Sequence, residues 1–253
     1  PRERLFDAYQ ALEAARLAPD PESAARGDAG LDALLAALEV EAPPVKLKGF
    51  ERFDPKLARF DAQARDGLVP EAAILFVGSS TISQWDVAAC FPGRPVVNRG
   101  LGGSTLADAI HFFDRLYLPC RPETIVLYAG DNDLANGLSP ERVIADFKTL
   151  AGLIEARLPE TTVIYVAVKP SRQRWDLWEK QRAVNEAIAA WCAARGGRFA
   201  FADIAAPMLA DVEPGQPPTA SWFQRDGLHL SPEGYARWSA VVAPLLDKPP
   251  AAP

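Results

Sequence analysis

A chain of 253 residues that is 49% apolar and 24% charged is long enough for one well-buried domain of ordinary globular composition. Its formal charge of −6 argues against the basic surface that nucleic acid or an anionic bilayer needs, and no apolar run approaches the roughly 20 residues of a membrane span. The scattered Cys90, Cys120 and Cys192 match neither a disulfide framework nor a zinc motif. They read as small buried apolar residues. The first residue is Pro1 rather than Met, as it would be after removal of a leader. The compartment, cytoplasmic or secreted/periplasmic, is therefore left open.

Residues 1–44 differ from the rest. Leu5, Tyr9 and Leu12 recur at helical spacing, as do Leu31, Leu34, Leu35 and Leu38, with prolines at 19, 21, 43 and 44 as breaks. This predicts an N-terminal helical extension. It either covers core surface of the main domain or joins copies into a homo-oligomer.

From residue 45 to 253 strands and helices alternate. Strands are predicted at 73–77, 95–98, 124–128, 162–168 and 199–202, and most are continuous apolar runs, as in strands buried on both faces of a parallel sheet. Helices are predicted at 105–116, 140–158, 175–195 and 232–245. The second of these opens on Ser139-Pro140-Glu141, an N-cap followed by proline in the first turn. Such an order gives a doubly wound α/β domain, whose ligands sit beyond the carboxyl ends of the strands.

Polar, glycine-supported segments lie just there. The first strand runs into Gly78-Ser79-Ser80-Thr81 and the second into Asn98-Arg99-Gly100-Leu101-Gly102-Gly103-Ser104. The third runs into Gly130-Asp131-Asn132-Asp133, and Asp226-Gly227-Leu228-His229 follows near the C-terminus. A serine hydroxyl becomes a nucleophile when a base takes its proton and a third group holds that base in the right tautomer. Of the two histidines, His111 falls beside Phe112 and Phe113 in a helix, where a packing or surface role is favoured. His229 follows Asp226 by three residues, close enough for the carboxylate to meet Nδ1 and leave Nε2 for a serine. Activity would then rise with pH as the imidazole loses its proton. Backbone N–H groups of Ser80 and Gly103, with the Asn132 side-chain amide, would stabilise an oxyanion. Asn132 also fits a plain turn cap.

These four segments resemble the four signature blocks of the SGNH hydrolases, the GDSL-type esterases and lipases. The resemblance spans about residues 48–246. It implies a flavodoxin-like three-layer α/β/α sandwich with a central five-stranded parallel sheet. It also implies Ser80 as nucleophile, Asp226 and His229 as its acid–base pair, and Ser80, Gly103 and Asn132 as the oxyanion hole. No cofactor or metal is called for. Ser79 stands where the family has its usual aspartate, and Ile82 breaks the Gly-x-Ser-x-Gly elbow of the α/β-hydrolases. The implied activity is a serine esterase acting on a small-molecule or glycan ester, with short acyl groups, acetyl above all, suggested by the lack of a long apolar lid. Lysophospholipase or thioesterase activity on the same fold, or a non-catalytic binding module, are the alternatives. Ser79, Arg174 and Trp222 are candidates for contact with substrate. For Trp222 the competing role is to pin its loop, and for the stretch from Lys169 to Trp175 it is a solvated loop.

Overall fold

The computed structural model describes residues 50–247, so the helical pair expected within residues 1–44 lies outside the described residues. Strands β1 (Ile74–Gly78), β2 (Val96–Asn98), β3 (Thr124–Tyr128), β4 (Thr162–Val166) and β5 (Phe199–Ala202) form one sheet in the order β2-β1-β3-β4-β5. Every pairing is parallel, with Leu75 beside both Val97 and Ile125 and Leu127 beside Tyr165. Helices α1 (Asp54–Arg65), α2 (Ser80–Ser83), α3 (Leu106–His111), α4 (Asp131–Ala135), α5 (Pro140–Arg157), α6 (Trp178–Arg195) and α7 (Pro232–Leu246) surround it. Among the described residues no helix is long and apolar enough to cross a membrane.

Alternating side chains divide the core between the two faces of the sheet. Phe76, Val126, Tyr128, Ile164 and Val166 join Trp85, Phe91, Trp238 and Val242 on one side, where the Trp238 ring of α7 lies 5.3 Å from that of Tyr128. Tyr165 faces the other side, 5.0 Å from Phe147 of α5, which in turn meets Trp191 of α6 at 5.2 Å. The result is the three-layer α/β/α sandwich. All five residues of β1 are buried, and this burial on both faces is why its sequence reads as an unbroken apolar run.

Among the departures from the pattern expected of the sequence, three have a clear local reason. The helix expected over 105–116 is interrupted at Phe112 (φ −94°, ψ 19°). Phe112 and Phe113 are consecutive yet both buried, and successive residues of one continuous helix point about 100° apart. The break turns Phe112 towards Phe53 (5.9 Å) while Phe113 stacks on Tyr117 (4.8 Å). β4 stops at Val166 rather than Val168, because the Asn185 amide takes both the N–H (2.7 Å) and the carbonyl (2.8 Å) of Val168. Helix α1 was not anticipated. Its signal is Pro55 in the first turn, with Leu57 and Phe60, one turn apart, both buried.

The order of strands places a switch between β1 and β3. After β1 the chain moves outward to β2, then returns to build β3, β4 and β5 on the other side. Crossovers diverge at such a point and open a crevice at the carboxyl ends. The loops after β1, β2 and β3 all reach it.

Candidate active site

The serine turn is built by close approach of two strands. A Cβ on Gly78 would fall 2.0 Å from the Tyr128 carbonyl oxygen, so the last residue of β1 has to be glycine. Ser79 N–H donates to that same carbonyl at 3.4 Å. Ser80 then opens α2, a position whose N–H has no partner within the helix. The turn is fixed from several directions. Tyr235 donates its hydroxyl to the Thr81 carbonyl (2.8 Å), and Asn98 donates its amide to the carbonyls of Ile82 (2.7 Å) and Trp85 (3.0 Å). Beneath it Trp85 packs among Phe76, Phe91, Tyr235 and Trp238, with centroids 5.3–5.9 Å away.

Asp226 and His229 sit on a short hairpin. Phe223 and Leu230 pair across its base, and Gln224 N–H donates to the His229 carbonyl at 2.7 Å. Asp226 Oδ1 accepts the N–H groups of Leu228 (2.9 Å) and His229 (3.0 Å), while Oδ2 lies 2.6 Å from His229 Nδ1. Partial desolvation works against the carboxylate, but the imidazole and the two N–H groups hold its pKa down at about 2. His229 Nε2 lies 3.0 Å from Ser80 Oγ. The other histidine, His111, is exposed at the end of α3, edge-on to Phe112.

Opposite this line stand the loops after β2 and β3. Gly103 has φ +77°, and a Cβ there would meet nothing within 4 Å. Its backbone is in a left-handed conformation and open to an incoming group. Asn132 lies in the first turn of α4 and donates Nδ2 to the Ser104 carbonyl at 2.9 Å. Ser104 donates its own hydroxyl to Gly78 O (3.2 Å), which joins the loops after β1, β2 and β3. Asp133 adds a further tie, accepting the N–H groups of Leu106 (2.9 Å) and Gly130 (3.2 Å).

Burial lifts the Asp133 carboxyl to about 6 despite those donors, and the nearby Asp146 adds to the effect. The folded state therefore binds a proton that the unfolded chain releases near pH 4. The stability contributed by the protonated form is present below that pH and is lost as pH rises through about 6. The difference is worth roughly 3 kcal/mol. We expect thermal melts of wild type and Asp133→Asn to show the wild type losing ground to the variant between pH 4 and pH 6.5. A constant offset would assign that slope to other groups.

Sequence reasoning missed the polar network under this edge. Lys169 is 1% exposed, not part of a solvated loop. It donates to Asp131 Oδ2 (3.0 Å), the Tyr128 hydroxyl (2.9 Å) and Thr81 Oγ1 (3.2 Å). Asp131 Oδ1 also meets Arg174 (2.8 Å) and Gln181 Nε2 (3.3 Å). Burial would raise the Asp131 pKa, but Lys169 and Arg174 carry it below the usual carboxylate range. Burial in turn pushes the Lys169 ammonium down, against the pull of Asp131. The sequence holds one hint of it, the two aspartates that flank Asn132; a lysine after an apolar strand reads the same buried or solvated.

The three substrate-contact candidates divide. Ser79 is buried and belongs to the support of the serine turn. Trp222 is also buried, beneath the Arg237 guanidinium (4.6 Å), and its carbonyl accepts Ser231 N–H at 3.0 Å. Both side chains are thus packed inside the protein, and the contacts of Trp222 tie it to the hairpin. Arg174 lies at the site, but its guanidinium is directed at Asn132 and Asp131.

The chain is thus an α/β protein with a 2-1-3-4-5 parallel sheet that carries serine, histidine and carboxylate in one hydrogen-bonded line beyond its carboxyl edge. Residues 76–237 match the GDSL-like lipase/acylhydrolase family, and the chain belongs to that family. No curated protein matches it in sequence. Solved structures share its fold at low identity. A protein from Streptococcus pneumonia superposes with a TM-score of 0.67 and 19% identity, over 84% of this chain and 98% of its own. A GDSL-like lipase from Bacteroides thetaiotaomicron gives 0.64 and 22%, over 76% and 98%. A lipase/acylhydrolase from Enterococcus faecalis gives 0.54 and 21%, over 72% and 99%.

Proposed function

We propose that the protein is a serine esterase that hydrolyses short-chain carboxylic esters, acetyl esters foremost, through an acyl-enzyme. The observation that carries this reading is the unbroken line Asp226–His229–Ser80, with contacts of 2.6 and 3.0 Å. Ser80 Oγ attacks the ester carbonyl while His229 Nε2 takes its proton, and Asp226 stabilises the imidazolium. The same proton passes to the leaving alcohol. Water then attacks the acyl carbon as His229 takes its proton, and that proton returns to Ser80 Oγ as the acid leaves. In both steps charge develops on the former carbonyl oxygen, which the N–H groups of Ser80 and Gly103 and the Asn132 amide would receive.

Preference for a small acyl group draws on the rim of the site. Beside the hairpin lies a cavity of about 280 Å³ lined by Arg172, Ala220, Phe223, Gln224, Arg225 and Gly227. Its wall surface is mostly apolar and its volume lies just below that of a typical ligand pocket, which suits a short acyl chain better than a long alkyl chain. Two measurements test the reading. A fluorophosphonate probe is expected to label Ser80 in the wild type. In a series of p-nitrophenyl esters, kcat/KM is expected to be highest at acetate or propionate and to fall by C8. Absence of labelling would favour a ligand-binding module, and a maximum at C8 or beyond would favour a lysophospholipase or thioesterase.

A further inference from the structure

The Asn132 amide can serve as an oxyanion donor in only one of its two orientations. Its oxygen and nitrogen ends are nearly the same shape but opposite in hydrogen bonding. Here Arg174 presents both Nη1 and Nη2 to Asn132 Oδ1, each at 3.1 Å. At the other end Nδ2 spends one hydrogen on the Ser104 carbonyl at 2.9 Å, and its second hydrogen remains. Reversing the amide would set NH₂ against a guanidinium that has only donors, and an oxygen against a carbonyl oxygen. Both contacts would be repulsive.

The guanidinium is itself fixed. Asp131, the neighbour of Asn132 in sequence, holds it at 2.8 Å, and the Arg174 side chain is only 20% exposed. A cation bonded to the amide oxygen draws electron density from the nitrogen and makes the remaining N–H a stronger donor.

We infer that Arg174 is a positioning residue of the oxyanion hole, acting on the reaction through the Asn132 amide rather than by contact with substrate. The inference rests on the esterase reading above. It also separates Arg174 from the rest of the rim, because the group that looks poised for a ligand is already committed to two protein partners.

The test is a double-mutant cycle with p-nitrophenyl acetate. Replacing Arg174 leaves Asp131 bonded to Lys169 and Gln181, so the buried carboxylate keeps a cation and Arg174→Met is expected to fold, as its melting curve will report. In that variant kcat is expected to fall about 10- to 100-fold with KM changed less than about twofold. Arg174→Lys, with one flexible ammonium in place of the fork, is expected to recover part of the loss. Asn132→Ala alone is expected to lower kcat by ~10²–10³. Adding Arg174→Met to Asn132→Ala is expected to cost less than about twofold more, because the residue through which Arg174 acts is gone.

An equal loss from Arg174→Met with and without Asn132 would overturn the inference, as would an effect carried by KM. So would an unchanged kcat in Arg174→Met beside an inactive Ser80→Ala. A wild-type protein without Ser80-dependent hydrolysis would instead overturn the esterase reading, and the inference with it.

Discussion

Ser80→Ala is expected to lower kcat for p-nitrophenyl acetate by roughly 10⁶-fold. The substitution removes one oxygen from a half-buried position at the start of α2. The hydrogen bonds from Tyr235 and Asn98 that hold the turn do not involve that oxygen, so the melting temperature should move by no more than a few degrees. Two serines are adjacent here, and the same assay separates them. Ser79 is buried with its side chain making no cap to the helix, and Ser79→Ala should leave kcat within about tenfold of wild type. Retention of most activity in Ser80→Ala would assign the nucleophile elsewhere.

Asp226→Asn is the second large effect, with an expected loss in kcat of roughly 10⁴-fold at neutral pH. The carboxylate, with a pKa of about 2, accepts a proton-bearing Nδ1 throughout the working range of a histidine base. Its Oδ1 is already taken by two backbone N–H groups, so an amide in its place would present NH₂ to Nδ1. That contact favours the tautomer with its proton on Nε2, facing Ser80 Oγ, and a nitrogen that bears a proton cannot take another. KM should change little, because the carboxylate meets the imidazole and not the ester. A loss of tenfold or less in steady-state assays would show that another group orients His229.

How much of this could be read from the sequence depended on whether the signal was local. The β-strands were legible because burial on both faces makes each one a continuous apolar run, and β1 with its five buried residues is the clearest case. The four site segments were legible because each follows the end of an element and carries glycine or a carboxylate at fixed spacing. Asp226 and His229, three residues apart, are close by chain connectivity alone. Lys169 and Arg174 were not legible in the same way. Their partners lie 38 and 42 residues distant, at Asp131 and Asn132, and nothing in the local pattern distinguishes a buried lysine from one on a solvated loop. Trp222 was open for the same reason: a tryptophan four residues before Asp226 suits a binding surface or a buried anchor equally, and its burial beneath Arg237 comes from a distant residue on α7. The break at Phe112 was hidden because each half of that helix has acceptable periodicity.

The hairpin closed by Phe223 and Leu230 carries Asp226 and His229 together, whereas Ser80 opens α2, just beyond β1. Imidazole and carboxylate therefore belong to one local unit, with their 2.6 Å contact written into eight consecutive residues. A tilt of that unit would change the gap to the serine and the Gln173–Gly227 backbone bond (3.1 Å) while leaving the Asp226–His229 pairing intact. The Gln84–Gln224 side-chain bond (3.0 Å) adds a direct tie from the hairpin to the end of α2, so the unit that carries the imidazole is fastened to the segment that carries the serine hydroxyl.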